Sequence, residues 1–408
     1  MKQLNLTNYR WIMLGFCCVI NLCIGSIYAW SVLSLPMAEE LGVESLSGPF
    51  SVATSIGVIT MIIGGIFNDK FGPRWVMFVG GMMFGGGMFL SGFAQSVASI
   101  MLTYGVILGL GSTLVYGCTI NNTIKFFPDK RGMIGGITTA FYGISSVIIA
   151  PAANMMCNHL GIRPTFQILG IICMVIICLG SFLMKKCPGD FIPDGYRPPE
   201  SAQNASKADC TPLEMLKKPL FYVMMLLLVC GGFFGMMVIS SAQSLAINMV
   251  SVTAGTASLI VSILCIFNTA GRLIAGTLSD HFGRINTLLI AIVLAGIGLL
   301  ALLAAESSFS VPVFIIGTIL IGISFGTFLG VYPGFCADQF GTKYNTVNYG
   351  ILWLGYSLAG ILGPLVLTNV YALNGQYRMA FLISLGIAVA GLFLILVCRR
   401  MLTAKKFV

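Results

Sequence analysis

Charge is what this chain has least of. Of its 408 residues only 9% are Asp, Glu, Lys or Arg, against roughly 25% in soluble domains. Hydrophobic residues make up 57%, and the mean hydropathy is +0.96. A water-soluble core of this length cannot hide so much apolar surface, so a soluble fold is excluded. Histidine is nearly absent: His159 and His281 both fall in or near loops, and no nucleophile–base pair or metal-ligand spacing accompanies them. The 13 cysteines form no C-x-x-C pair and sit mostly within apolar runs, as small buried residues do. No G-x-x-x-x-G-K-[ST] phosphate loop occurs, which removes an ATP-driven pump. The expectation is no enzyme, no catalytic residues, no cofactor and no metal.

What is present is a series of unbroken apolar runs near 20 residues long, too long for alternating barrel strands and long enough to cross about 30 Å of hydrocarbon as helices. Twelve are expected, over 11–35, 46–67, 75–94, 98–124, 132–156, 165–184, 219–243, 255–278, 287–304, 311–335, 345–368 and 378–398. The first exceeds a signal-peptide core and is expected to remain as an anchor. The longest gap, 185–218, is rich in Pro, Ser and charge and reads as a linker dividing the spans six and six. The expected domains are therefore a bundle over 1–184, a cytoplasmic loop over 185–218 and a second bundle over 219–408.

The net charge of +9 is distributed as a topology signal and gives no support to nucleic-acid binding. With the N-terminus inside, nineteen of the 22 Lys and Arg residues fall on the inner side; Arg163 and Arg378 are outside, and Arg272 is within a span. Both termini are thus expected in the cytoplasm of a cell membrane, with lipid around the helices.

An internal repeat supports this division. Gly65-Ile-Phe-Asn-Asp69-Lys70-Phe-Gly72-Pro-Arg74 follows span 2, and Gly276-Thr-Leu-Ser-Asp280-His281-Phe-Gly283-Arg284 follows span 8, offset by 211 positions. A weaker echo pairs PDKRG at 128–132 with DQFGTKYN at 338–345. With these motifs, the whole chain resembles the major facilitator superfamily, and within it the oxalate/formate antiporters and monocarboxylate transporters. YAWSVLSLP at 28–36, KFFPDKRG at 125–132, FNTAGR at 267–272 and ADQFG followed by NYGILW at 337–353 carry the closer likeness. The resemblance implies an all-α membrane protein of twelve transmembrane helices in two pseudo-symmetric six-helix bundles, working as a secondary transporter and able to act as a monomer.

The repeated loops suggest gating. Asp69 and Asp280 lie at inner helix ends beside basic residues, where an acid can bond a neighbouring helix N-terminus and pair with Arg74 or Arg284. Contacts made in one state only can bias a two-state equilibrium. Gly65, Lys70, Gly72, Gly276 and Gly283 complete this gating set.

Substrate binding is expected at Arg272, the single charge inside an apolar span. Its planar fork suits a carboxylate, and Asn268 lies one turn earlier on the same face. None of the 13 acids falls inside the expected spans, which argues against a dedicated proton relay and leaves both proton symport and exchange with a counter-anion open. Tyr28, Tyr116, Tyr142, Tyr332, Trp353 and Tyr356 are expected to complete the pocket, as the resemblance implies for a central cavity; singly, each also suits core packing. In the oxalate-exchanging branch the resemblance implies a lysine where this chain has Tyr356. One cation suits one carboxylate, so a monocarboxylate such as lactate, pyruvate, glycolate or formate is expected over oxalate, with a sugar or drug carrier as the nearest rival.

Overall fold

The computed structural model describes residues 6–43, 46, 48–188, 191–194 and 209–404. Glu44, 16 of the 34 residues of the central linker (Arg197 and Lys207 among them), and Lys2, Lys405 and Lys406 lie outside the described residues. Among those described there is no strand. Eleven helices among the described residues are long and apolar enough to cross a membrane. We number the spans α1 (Leu6–Ala29), α2 (Gly48–Phe71), α3 (Pro73–Ser91), α4 (Val97–Phe126), α5 (Arg131–Leu160), α6 (Ile162–Leu183), α7 (Pro219–Val250), α8 (Gly255–Phe282), α9 (Arg284–Ser308), α10 (Val311–Phe340), α11 (Asn345–Asn374) and α12 (Arg378–Thr403). The twelfth is α3, whose five glycines and Arg74 dilute its apolar character.

The helices outrun the apolar runs, so several acids expected outside the spans lie in their end turns. Asp69, Asp280, Glu306 and Asp338 are helical. Polar end turns extend a helix beyond the hydrocarbon because only the middle must be apolar.

The chain divides into two compact units, residues 1–212 with 336–351, and residues 213–335 with 352–408. In the first, α3 packs on α6 and α4, and α1 on α5. In the second, α12 packs on α9 and α7. The repeat is visible in the backbone as well as in the sequence. Gly72 (φ 89°, ψ 172°) ends α2 and opens α3, and Gly283 (φ 85°, ψ 150°) ends α8 and opens α9. This region of φ/ψ space is open essentially to glycine alone. Each glycine turns one helix directly into the next.

Candidate functional site

In the second unit, α8 carries Arg272 and Asn268 at the spacing that stacks side chains one turn apart. Arg272 Nε donates to Asn268 Oδ1 at 3.3 Å. The arginine is 2% exposed, so it does not snorkel to a surface. Asn268 is also buried. The backbone of α10 comes close to both. A Cβ on Gly326 would strike the carbonyl of Asn268 and lie 3.0 Å from its Oδ1; one on Gly330 would meet the carbonyl of Arg272 at 2.6 Å. Two glycines one turn apart are thus what lets α10 lie against these two residues.

The same unit holds an aromatic cluster on α11 and α10. Trp353 and Tyr356 have ring centroids 4.2 Å apart, and Tyr356 stacks on Phe325 at 6.2 Å. The Tyr356 hydroxyl points to the thioether of Met236 at 4.0 Å. Tyr332 is fully buried, stacked on Phe328, and its hydroxyl donates to the carbonyl of Met224 at 2.8 Å. That bond ties α10 to α7.

In the first unit, Tyr142 on α5 joins the other two expected tyrosines. Its ring lies 5.4 Å from Tyr28 and 4.9 Å from Tyr116. Tyr28 sits in the 3-10 turn Gly25–Ala29 that interrupts α1 before the helix resumes over Trp30–Leu41. A mid-helix 3-10 stretch of this kind often marks a hinge.

The two loop motifs use their acids differently. Asp280 Oδ1 pairs with Arg284 Nη1 at 2.7 Å, one turn away, and that guanidinium also donates to Ser279. Asp69 does not pair with Arg74. Its Oδ1 takes the Lys125 ammonium at 2.7 Å and the Thr346 hydroxyl at 2.8 Å, and its Oδ2 takes the N–H of Val347 at 3.3 Å. Arg74 instead donates to the carbonyl of Phe182 and lies over its ring. Gly65 packs against the backbone of Thr346 and Val347. Lys70 lies over Phe71, and its carbonyl accepts from Lys186. Gly276 gives its carbonyl to the Ser279 hydroxyl.

Comparison with known proteins assigns a family to this helical repeat with its buried Arg272 and acid-bearing corners. The residue pattern of the Major Facilitator Superfamily matches residues 14–364 and 233–406. The chain belongs to that superfamily. It is 28% identical to the oxalate:formate antiporter of Oxalobacter formigenes over 94% of this chain and 90% of that protein. It is 25% identical to monocarboxylate transporter 11 of Homo sapiens over 81% of this chain and 70% of that protein. The uncharacterized MFS-type transporter YhjX of Escherichia coli is 26% identical over 88% of each. Among solved structures, the fold matches the fucose transporter FucP in its outward conformation (TM-score 0.68, 14% identity, 96% of this chain and 99% of that one) and the xylose symporter XylE (TM-score 0.72, 14% identity, 95% of each). The superfamily chain is thus a twelve-helix membrane transporter related to anion carriers.

Several polar contacts escape sequence reasoning. Arg10 at the start of α1 holds Asp129 through both carboxylate oxygens, at 2.7 and 3.2 Å. Arg131 pairs with Asp338 at 2.8 Å, which joins the two copies of the weaker motif echo. Asn345 Nδ2 donates to Asn121 Oδ1 at 2.7 Å, and Asn68 Nδ2 to Thr346 at 2.7 Å. Each partner stands far off in sequence, and only the charged PDKRG and DQFG segments hint at any of them.

Proposed function

We propose that this chain carries a small monocarboxylate, of the lactate, pyruvate, glycolate or formate type, across the cytoplasmic membrane by alternating access. The observation that carries this reading is Arg272: a buried guanidinium on a membrane helix, its Nε held by the neutral Asn268. A permanent cation there favours an anionic ligand, and the guanidinium fork matches a carboxylate bidentately. Asn268 orients the fork, the hydroxyl and indole groups of Tyr28, Tyr116, Tyr142, Trp353 and Tyr356 supply neutral donors, and Tyr332, whose hydroxyl is held by Met224, supports them by packing. The kinship with an oxalate:formate antiporter and with monocarboxylate transporters supports an anion of this class. Movement is proton symport or exchange against a second anion.

The rival reading is oxalate/formate-type dicarboxylate exchange, favoured by 28% identity along nearly the whole chain. Against it stands Tyr356, packed between Trp353 and Phe325 where a second cation would be needed.

In this reading residues 1–184 and 219–408 are the two functional halves, 185–218 joins them on the cytoplasmic side, and a single copy suffices. Gly65, Asp69, Lys70, Gly72 and Arg74, with Gly276, Asp280, Gly283 and Arg284, form the gating loops. Their ion pairs are made in one state and broken in another.

Uptake into proteoliposomes tests the assignment, with labelled mono- and dicarboxylates, with and without a pH gradient and internal anion. Accumulation of a monocarboxylate is the expected result. A requirement for internal anion identifies exchange, and accumulation driven by an inward proton gradient alone identifies symport. Transport of none of these anions sinks the carboxylate reading.

A further inference from the structure

The start of α11 is held by two carboxylates from separate segments. Asp69 takes the hydroxyl of Thr346 and the N–H of Val347. Asp209, at the end of the central loop, takes the N–H groups of Thr342 and Lys343 through Oδ1, at 3.0 and 3.2 Å. Backbone N–H groups before and within a first helical turn have no partner in the helix itself, and the dipole there favours an anion. The two acids divide that task between them.

The segment around Asp209 is tied down further. Cys210 N donates to the carbonyl of Phe340 at 2.9 Å, and Asn348 Nδ2 donates to the carbonyl of Cys210 at 3.0 Å. Gly341 turns the chain at φ 87°, and a Cβ there would strike the Asp209 carboxylate. The turn after α10 is thus shaped around this acid. Cys210 is 4% exposed. All of these contacts lie within the first unit.

We propose that Asp209 is a second gate carboxylate, and that 209–210 is a strap which must release the start of α11 whenever Asp69 does. This rests on the gating role proposed for Asp69. Residues 342–347 are a tight turn running directly into a helix, so they move as one piece. A displacement that takes 346–347 from Asp69 takes 342–343 from Asp209. Residues 209–210 are therefore a working part of the gate, which the sequence reading of 185–218 as a linker does not foresee.

The test uses the full-length protein in proteoliposomes and reads the alkylation of Cys210 by N-ethylmaleimide, followed on its own peptide by mass spectrometry, beside uptake of the anion that the wild type accumulates. Asp209→Ala removes two charge-assisted hydrogen bonds, each worth about tenfold or more, so it is expected to raise the Cys210 alkylation rate at least tenfold and to lower maximal uptake with little change in KM. Gly341→Ala, which crowds the same carboxylate from the other side, is expected to do the same. Asp209→Asn keeps an acceptor for both N–H groups and should fall between; it decides the matter on the same readouts if Asp209→Ala does not fold. Wild-type alkylation in Asp209→Ala and Gly341→Ala overturns the strap. Raised alkylation with unchanged uptake overturns the gating role, leaving a static staple. Normal uptake by Asp69→Asn would sink the role of Asp69 alone, because Cys210 reports the strap independently.

Discussion

Asp69 Oδ1 takes the ammonium of Lys125 at 2.7 Å, with side chains 5% and 15% exposed. The pair joins the end of α2 to the end of α4, and the same carboxylate reaches the start of α11. Removing one member of a pair this buried leaves a charge without compensation, at a cost of about 3–5 kcal/mol. We expect Asp69→Asn and Lys125→Met each to lower the melting temperature of the purified protein and to slow uptake at least tenfold. The double variant should lose less than the two singles combined, because both remove the same interaction. A double-mutant cycle on melting temperature and uptake rate checks this; strictly additive losses would refute the coupling.

Arg272 is expected to tolerate no substitute. Arg272→Lys keeps the charge and loses the planar fork, about 2–3 kcal/mol of charge-assisted bonding, so uptake efficiency should fall about a hundredfold with unchanged amounts of protein in the membrane. Initial rates over a range of monocarboxylate concentrations, normalised to membrane protein, measure it. Full activity would remove Arg272 from the substrate site.

Tyr356→Lys places a second cation in the aromatic cluster beside Trp353. We expect oxalate to become a competitor of monocarboxylate uptake, which it should not be in the wild type. Loss of the Phe325 and Trp353 contacts should also lower stability by about 1–3 kcal/mol. Competition assays with and without the substitution decide it, and absent competition in the variant would show that charge at this position does not set specificity.

Gly326→Ala adds one methyl where α10 meets the carbonyl of Asn268. Overpacking of this kind costs about 1–3 kcal/mol. The substitution should lower the melting temperature and raise KM, since separating the helices moves the residue that holds Arg272. Gly296→Ala, with open space at its Cβ, should leave both unchanged and serves as the control.

Much of this was legible in the sequence, for physical reasons. Membrane helices announce themselves because lipid forbids unsatisfied backbone and charge, so apolar length alone locates them. The helix Arg378–Thr403 begins at the residue where its apolar run does. The Arg272–Asn268 contact follows from helical spacing and needs no tertiary information. What stayed hidden is polar and long-range. Thr346 and Asp69 are 277 residues apart, and no local rule selects Lys125 over the nearer Arg74 as the partner of Asp69. Tyr332 shows the reverse difficulty: a phenol in an apolar run reads equally as a ligand donor or as a tie between helices, and its bond to Met224 is of the second kind.

The glycine corners at 72 and 283 carry one more implication. They are backbone copies of each other, yet the acid three residues before each serves a different client: Asp69 a distant helix, Asp280 the helix just across its own corner. The two corners share their turn and differ in their wiring. A chimera in which residues 276–283 replace 65–72 should therefore turn its corner normally and keep an acid opposite Lys125, while losing the bond by which Asn68 reports the seating of α11 through Thr346.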